Sequence, residues 1–174
     1  MQQLIADPLS RQEIERFAWV VREIADYTNK LLFPVVHFTE LALPQIDPGF
    51  NFMVMAIKEM PDKYATYNSF NNTMEVREDV YQKAIEGDGR QRFTIAHELG
   101  HYFLHKEGVK LCRTDGNSRV VSYLDPEWQA NTFASALLMP PRMIEGLSPL
   151  EISLSCKTSA QAAEIAYNKA KKPS

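Results

Sequence analysis

RQRFTIAHELGHYFLH, residues Arg90–His105, is the stretch whose reading decides the fold. Phe93, Ala96, Leu99, Gly100, Phe103 and Leu104 recur at intervals of three and four, which predicts the apolar side of a helix from about Arg90 to His105. His97 and His101 share another face, one turn apart, where two imidazoles are able to converge on one metal ion. Glu98, between them, is placed to take a proton from metal-bound water. The H-E-x-x-H pattern therefore encodes a hydrolytic mechanism as well as a helix. Glycine inside a helix costs about 1 kcal/mol, so Gly100 implies a close neighbour on that side.

A catalytic zinc site needs a third protein ligand and leaves the fourth position for water. Downstream, Asp125 is a good N-cap, Pro126 suits the first helical position, and Pro140-Pro141 stops a second long helix after Met139. Glu127 lies in its first turn, followed by Ala130, Asn131 and Ala134, a small-residue face that would let this helix approach the first. Glu127 is thus the candidate third ligand, although an acid there equally complements the helix dipole, and spacing alone leaves both readings open. Asn131, one turn further on, is a candidate hydrogen-bond partner for a ligand. His105 sits too far along the axis to share the ion and reads as structural or substrate-facing. His37 reads as a half-buried helix residue, and Tyr102 and Tyr123 as packing residues with oxyanion stabilisation as the alternative.

Around these helices the chain predicts an α+β arrangement. Ser10-Arg11-Gln12-Glu13 is a capping box, and Ile14, Phe17, Ala18, Val21 and Ala25 give a first helix its buried stripe. A second, shorter helix starts at Pro34, runs through Leu43 and ends at Pro44. Phe50–Ile57, Lys63–Ser69 and Thr73–Arg77 read as strands, the last two joined through Asn71-Asn72. Asp79–Glu86 reads as a short helix closed by Gly87-Asp88-Gly89, and Arg119–Tyr123 as a further strand. Two tail helices open at Ser148-Pro149 and at Thr158, the latter with Gln161 completing a capping box. No internal repeat, linker or boundary divides residues 1–174, which read as one domain: helices over 10–43, a core over 73–141 and helices over 148–170.

Composition narrows the function. A net charge of -3 gives no electrostatic case for nucleic-acid binding, so the faint helix-turn-helix look of Ile152–Ala166 reads as a packed pair. No apolar run approaches membrane-spanning length, and MQQLIADPLS lacks the pattern of a secretory leader. Cys112 and Cys156 form no metal or redox spacing and read as reduced thiols of a cytoplasmic protein.

Taken together, three segments resemble the ImmA/IrrE metallopeptidases. They are Arg92–His105, then Glu127-Trp128-Gln129-Ala130-Asn131-Thr132-Phe133-Ala134, and Leu137-Leu138-Met139-Pro140, with Glu75–Tyr81 as the strand and turn upstream. The resemblance is firm over about 73–141 and looser outside it. It implies a minimal zincin-like fold, in which a small, about three-stranded sheet packs against the H-E-x-x-H helix and a second ligand-bearing helix. It makes His97, His101 and Glu127 the metal ligands and Glu98 the general base. The implied metal is Zn2+, with Mn2+ or Fe2+ as alternatives for an open site.

The implied activity is site-specific endopeptidase cleavage of a protein partner, a helix-turn-helix transcriptional repressor, switching on a stress response or mobile-element genes. No nucleic acid or membrane is an expected partner. A non-cleaving anti-repressor and a toxin-like metallohydrolase paired with an antitoxin are the alternatives. A purely structural metal site has no need of Glu98 and closes four protein ligands, which speaks against the first. The sheet's edge strand is expected to hold an extended peptide by backbone pairing.

Overall fold

The chain first forms a short strand, β1 (Gln2–Ile5), and then α1 (Arg11–Ile24). The computed structural model describes residues 2–106, 110–113 and 121–171, with side chains described over 4–106 and 121–171. The expected capping box starts α1: Ser10 Oγ accepts from the Glu13 N–H at 3.3 Å, and Glu13 Oε2 accepts from the Ser10 N–H at 2.8 Å. Ile14, Ala18 and Val21 are buried, whereas Phe17, expected in the same stripe, is 46% exposed. Arg22 is buried in the core instead. Its guanidinium donates to the carbonyls of Tyr27, Lys30, Leu31 and Leu137. The Leu137 carbonyl would normally accept from residue 141, but Pro141 has no N–H, so Arg22 takes that place.

The expected helix over Pro34–Leu43 does not end at Pro44. It runs as α2 (Val35–His37), a π-helical stretch Phe38–Ala42, and α3 (Leu43–Ile46), which contains the proline. The Leu43 N–H bonds to the Phe38 carbonyl, five residues back, and this wider turn makes room for a ring that would crowd an α-helical carbonyl.

Three strands follow as expected, β2 (Asn51–Met55), β3 (Ala65–Asn68) and β4 (Thr73–Arg77), forming a mixed sheet in the order β2-β4-β3. Central β4 runs parallel to β2, with Val54 beside Val76, and antiparallel to β3, with Tyr67 beside Met74. Met74 and Val76 are fully buried. Asn72 turns the β3–β4 connection with φ 51°, a left-handed conformation that asparagine tolerates.

From the sheet, α4 (Glu78–Glu86) ends at Gly87, whose φ of 98° suits glycine, and Asp88 caps α5 (Gly89–His105) by accepting from the Gln91 N–H at 2.9 Å. Gly89 has a second duty that the sequence reading did not see. A Cβ there would lie 2.5 Å from the Ser159 nitrogen and the Thr158 carbonyl carbon.

β5 (Lys110–Arg113) pairs antiparallel with β1, an unexpected second sheet. The strand expected over Arg119–Tyr123 is not formed: Ser122–Leu124 is a 3-10 turn, while Arg119 and Val120 lie outside the described residues. The turn's carbonyls serve the N-terminal segment, with the Ala6 N–H on Leu124 at 2.9 Å and the Leu9 N–H on Tyr123 at 3.1 Å.

Then come α6 (Pro126–Leu138), α7 (Pro141–Ile144), α8 (Pro149–Cys156) and α9 (Ala160–Ala170). The tail's capping box is Ser148 with Glu151, not Thr158 with Gln161. Ser159 caps α9 by accepting from the Ala162 N–H at 3.1 Å, while Thr158 is buried and its hydroxyl donates to Met139 Sδ. Cys156 is buried as a free thiol, and the side chain of Cys112 lies outside the described residues.

The core sits where α5 packs on α6, with α1 on α6's other side and the sheet beyond α5. Gly100 allows the α5–α6 approach: a Cβ would lie 2.8 Å from Ala130 Cα and 2.9 Å from its carbonyl oxygen. Among the described residues no helix is long and apolar enough to cross a membrane.

Candidate metal centre

Helix α5 presents His97 and His101 from consecutive turns, and α6 brings Glu127 to them from its first turn. Asp125 fixes that turn by accepting from the Glu127 N–H at 3.0 Å. The three donors converge: His97 Nε2 lies 3.0 Å from His101 Nε2, Glu127 Oε2 lies 3.2 Å from His97 Nε2, and Glu127 Oε1 lies 3.3 Å from His101 Nε2. A tetrahedral ion with bonds of about 2.0–2.1 Å separates its ligand atoms by about 3.3 Å, so this triangle has the size such an ion requires. The histidine flanks are half-buried, while the Glu127 side chain is 65% exposed. The three residues form a group that could hold a metal ion, open on one side to solvent.

The non-converging ring nitrogens are also occupied. His97 Nδ1 lies 3.0 Å from Asn131 Oδ1, the partner proposed from sequence. His101 Nδ1 lies 3.1 Å from His105 Nδ1, and His105 Nε2 lies 2.8 Å from Gln129 Oε1. Burial lowers the pKa of His101 to about 3, helped by His97 and His105, so its ring is neutral at neutral pH as a ligand must be.

Glu98 points toward the sheet, and the Tyr67 N–H of β3 donates to its Oε2 at 2.8 Å. Burial raises the Glu98 carboxyl above its ordinary pKa, opposed by His97 and the Tyr67 N–H. A partly desolvated carboxylate held by one backbone donor is suited to accept a proton. A cavity of about 140 Å³ beside it is lined by Leu4, Tyr67, Ser69, His101, Pro126 and Glu127, among others.

The remaining candidates fall away from the reacting position. The Tyr102 hydroxyl donates to Asp47 Oδ2 at 2.8 Å, where Asn72 and Lys106 also donate, and its ring packs against Phe50 and Tyr67. Tyr123 contributes a backbone carbonyl, which accepts from Gln129 Nε2 at 2.8 Å. His37 is exposed at the end of α2 rather than half-buried. His105 is buried at 6% exposure behind His101. The sequence reading missed Tyr67, whose contribution is a backbone N–H, and Gln129, which carries no motif beyond standing two residues after Glu127.

Comparisons with known proteins give the family. The model of the peptidase M78 family, described as the IrrE N-terminal-like domain, matches residues 50–154, which include the three-stranded sheet, α5, α6 and the first part of α8. Metallopeptidase ImmA of Bacillus subtilis (strain 168) is 42% identical over 59 residues, 34% of this chain. The match spans about a third of that relative's length, at 34%. With more than half of its residues matched by the family model, including the helices that carry His97, Glu98, His101 and Glu127, the chain belongs to the ImmA/IrrE family of metallopeptidases.

Proposed function

We propose that the protein is a zinc-dependent, site-specific endopeptidase whose substrate is a protein partner, a helix-turn-helix transcriptional repressor in the cytoplasm. Its cleavage would switch on a stress response or mobile-element genes. The observation that carries the catalytic part is Glu98, held by the Tyr67 N–H beside the converging His97, His101 and Glu127 donors. His97, His101 and Glu127 would hold the ion, and Mn2+ or Fe2+ would suit the same open donor set. When bound, the ion supplies Lewis-acid polarisation of water and of the scissile carbonyl. Glu98 takes the proton from the attacking water and returns it to the departing amine.

Strand β3 is the sheet edge that faces this centre, since β4 occupies its other side and Tyr67 reaches Glu98 from it. An extended substrate segment would lie along that edge, next to Ser69 and Glu127. Substrate choice then depends on surfaces outside the ligand set.

The test is incubation of the zinc-loaded protein with a helix-turn-helix repressor drawn from the genes that flank its own, read by mass spectrometry, with Glu98→Gln in parallel. The proposal expects two discrete fragments from the wild type and an intact repressor, stably bound, with Glu98→Gln. A repressor that stays intact but bound in both samples would point to a sequestering anti-repressor instead.

A further inference from the structure

We infer that the cavity between α5, α6 and α9 binds a large apolar side chain of the substrate beside the bond to be cut, with an acidic neighbour of that residue held by Lys169. The inference rests on the peptidase reading and names the kind of segment such an enzyme would select. The cavity, of about 250 Å³, begins at the candidate centre. Its lining includes Asn131, whose Oδ1 lies 3.0 Å from His97 Nδ1. Trp128, the residue after Glu127, and Phe93, one helical turn before His97, line it as well. It therefore flanks the centre toward the N-terminal end of α5. The cavity of about 140 Å³ lined by Tyr67, Ser69, His101 and His105 flanks it toward the C-terminal end. A chain crossing the centre has room for a side chain on each flank, and the larger space lies beside His97.

The lining fixes the chemistry of the occupant. Phe93 and Trp128 are partly buried, and from α9 Ala162 and Ile165 face the same space, Ile165 being 46% exposed. Walls of this kind reward a phenylalanine- or leucine-sized side chain, which leaves water on entering and meets aromatic faces. An apolar pocket gains selectivity from a few placed polar groups, and Lys169 is the one charged residue in this lining.

Beyond Lys169 the space continues. An adjoining cavity of about 630 Å³ shares Thr132, Ser135, Met139 and Lys169 with the first, and the other charged residues of its lining are Arg11 and Glu15. Arg11 opposes the charge on Lys169 and Glu15 favours it. Two cations thus share one acid, and the groove carries one positive charge in excess, which a carboxylate on the substrate would balance. Helix α9, Ala160–Ala170, lies outside residues 50–154, so this wall comes from a part of the chain distinct from the helices that carry the ligands.

The probe is acetyl-Glu-Phe-Glu-amide, whose phenylalanine has an acid on either side and so suits either chain direction. It is titrated into the full-length protein with and without zinc, and NMR follows the Trp128 indole N–H and the Ile165 methyls, with the Trp19 indole as internal reference. Saturable shifts at Trp128 and Ile165 are expected, with Trp19 unmoved. Acetyl-Glu-Ala-Glu-amide and acetyl-Lys-Phe-Lys-amide should each bind about tenfold more weakly or worse. Lys169→Glu should reverse the preference between the acidic and basic probes, and Ile165→Glu should weaken acetyl-Glu-Phe-Glu-amide about tenfold. Both positions are exposed, so the fold should tolerate the changes, which thermal unfolding checks. No saturable shift, equal binding of the three probes, or an unaltered preference in Lys169→Glu overturns the inference. A protein that binds the probe as stated and cuts no repressor refutes the peptidase reading and leaves the pocket standing. A wild type that cuts a repressor at a bond with no large apolar residue on either side refutes the pocket and leaves the peptidase reading standing.

Discussion

Replacing Gly100 by alanine sets two physical effects against each other, and the structure says which one wins. Alanine is the better helix former by about 1 kcal/mol, so on local propensity alone Gly100→Ala would stabilise the protein. The added methyl would lie 2.8 Å from Ala130 Cα, 2.9 Å from its carbonyl oxygen and 3.1 Å from its Cβ. Two of these are backbone atoms, which no rotamer change moves, so α5 and α6 must separate by several tenths of an ångström. Overpacking of this kind costs typically about 1–3 kcal/mol and, against backbone, the upper part of that range applies. The net expectation is a loss of about 1–2 kcal/mol. For a chain of this length each kcal/mol moves Tm by about 2–4 °C, so a fall of roughly 2–8 °C is expected in differential scanning calorimetry of the metal-stripped protein. Glu127 precedes Ala130 by three residues on the same helix, so the separation also widens the 3.2 and 3.3 Å gaps to His97 and His101 and weakens zinc binding. A Tm equal to or above wild type, with unchanged zinc affinity, would refute the reasoning that helix contact is what requires glycine here.

Further outcomes follow from polar groups away from His97, His101 and Glu127. Arg22→Met keeps the buried volume but strands the carbonyls of Tyr27, Lys30, Leu31 and Leu137, and should cost about 2–4 kcal/mol in urea unfolding; a midpoint unchanged from wild type would contradict that assignment. Asp47 is held well below its ordinary pKa of 3.8, first by Lys106, then by Asn72 and Tyr102. A depressed carboxyl pKa contributes stability that is present above pH ~4 and lost as pH falls below it, because the unfolded chain then binds more protons. Asp47→Asn should therefore lower stability at pH 7 and flatten the fall in urea midpoint between pH 7 and pH 3, whereas an unchanged fall would remove Asp47 from the acid response.

Much of the centre was legible because it is local. His97, Glu98 and His101 lie within one helical turn and a half, and Asp125-Pro126 marks where the second helix must begin, so helix periodicity alone puts Glu127 in its first turn. Gly100 and Ala130 announced the close packing that joins the two helices. The β1–β5 pair was not legible, since its strands are short and more than a hundred residues apart, with no turn between them to signal pairing. Arg22 is a core residue that no pattern in the sequence marks, because what buries it is an array of distant carbonyls, one left without a partner by Pro141. Gln129 and Tyr67 were missed for the same reason: each acts through partners that only the fold brings near. The cap expected at Thr158 is Ser159, one residue later and without a capping box, and it is the burial of Thr158 against Met139 that leaves Ser159 as the cap.

The central claim is that two helices place one metal ion between His97, His101 and Glu127. Anomalous diffraction at the zinc edge, from crystals grown with zinc, tests it most directly. The account predicts a single strong peak within about 2.0–2.2 Å of His97 Nε2, His101 Nε2 and a Glu127 carboxylate oxygen. A peak that instead includes His105 or excludes Glu127, or no peak between the two helices, would contradict it.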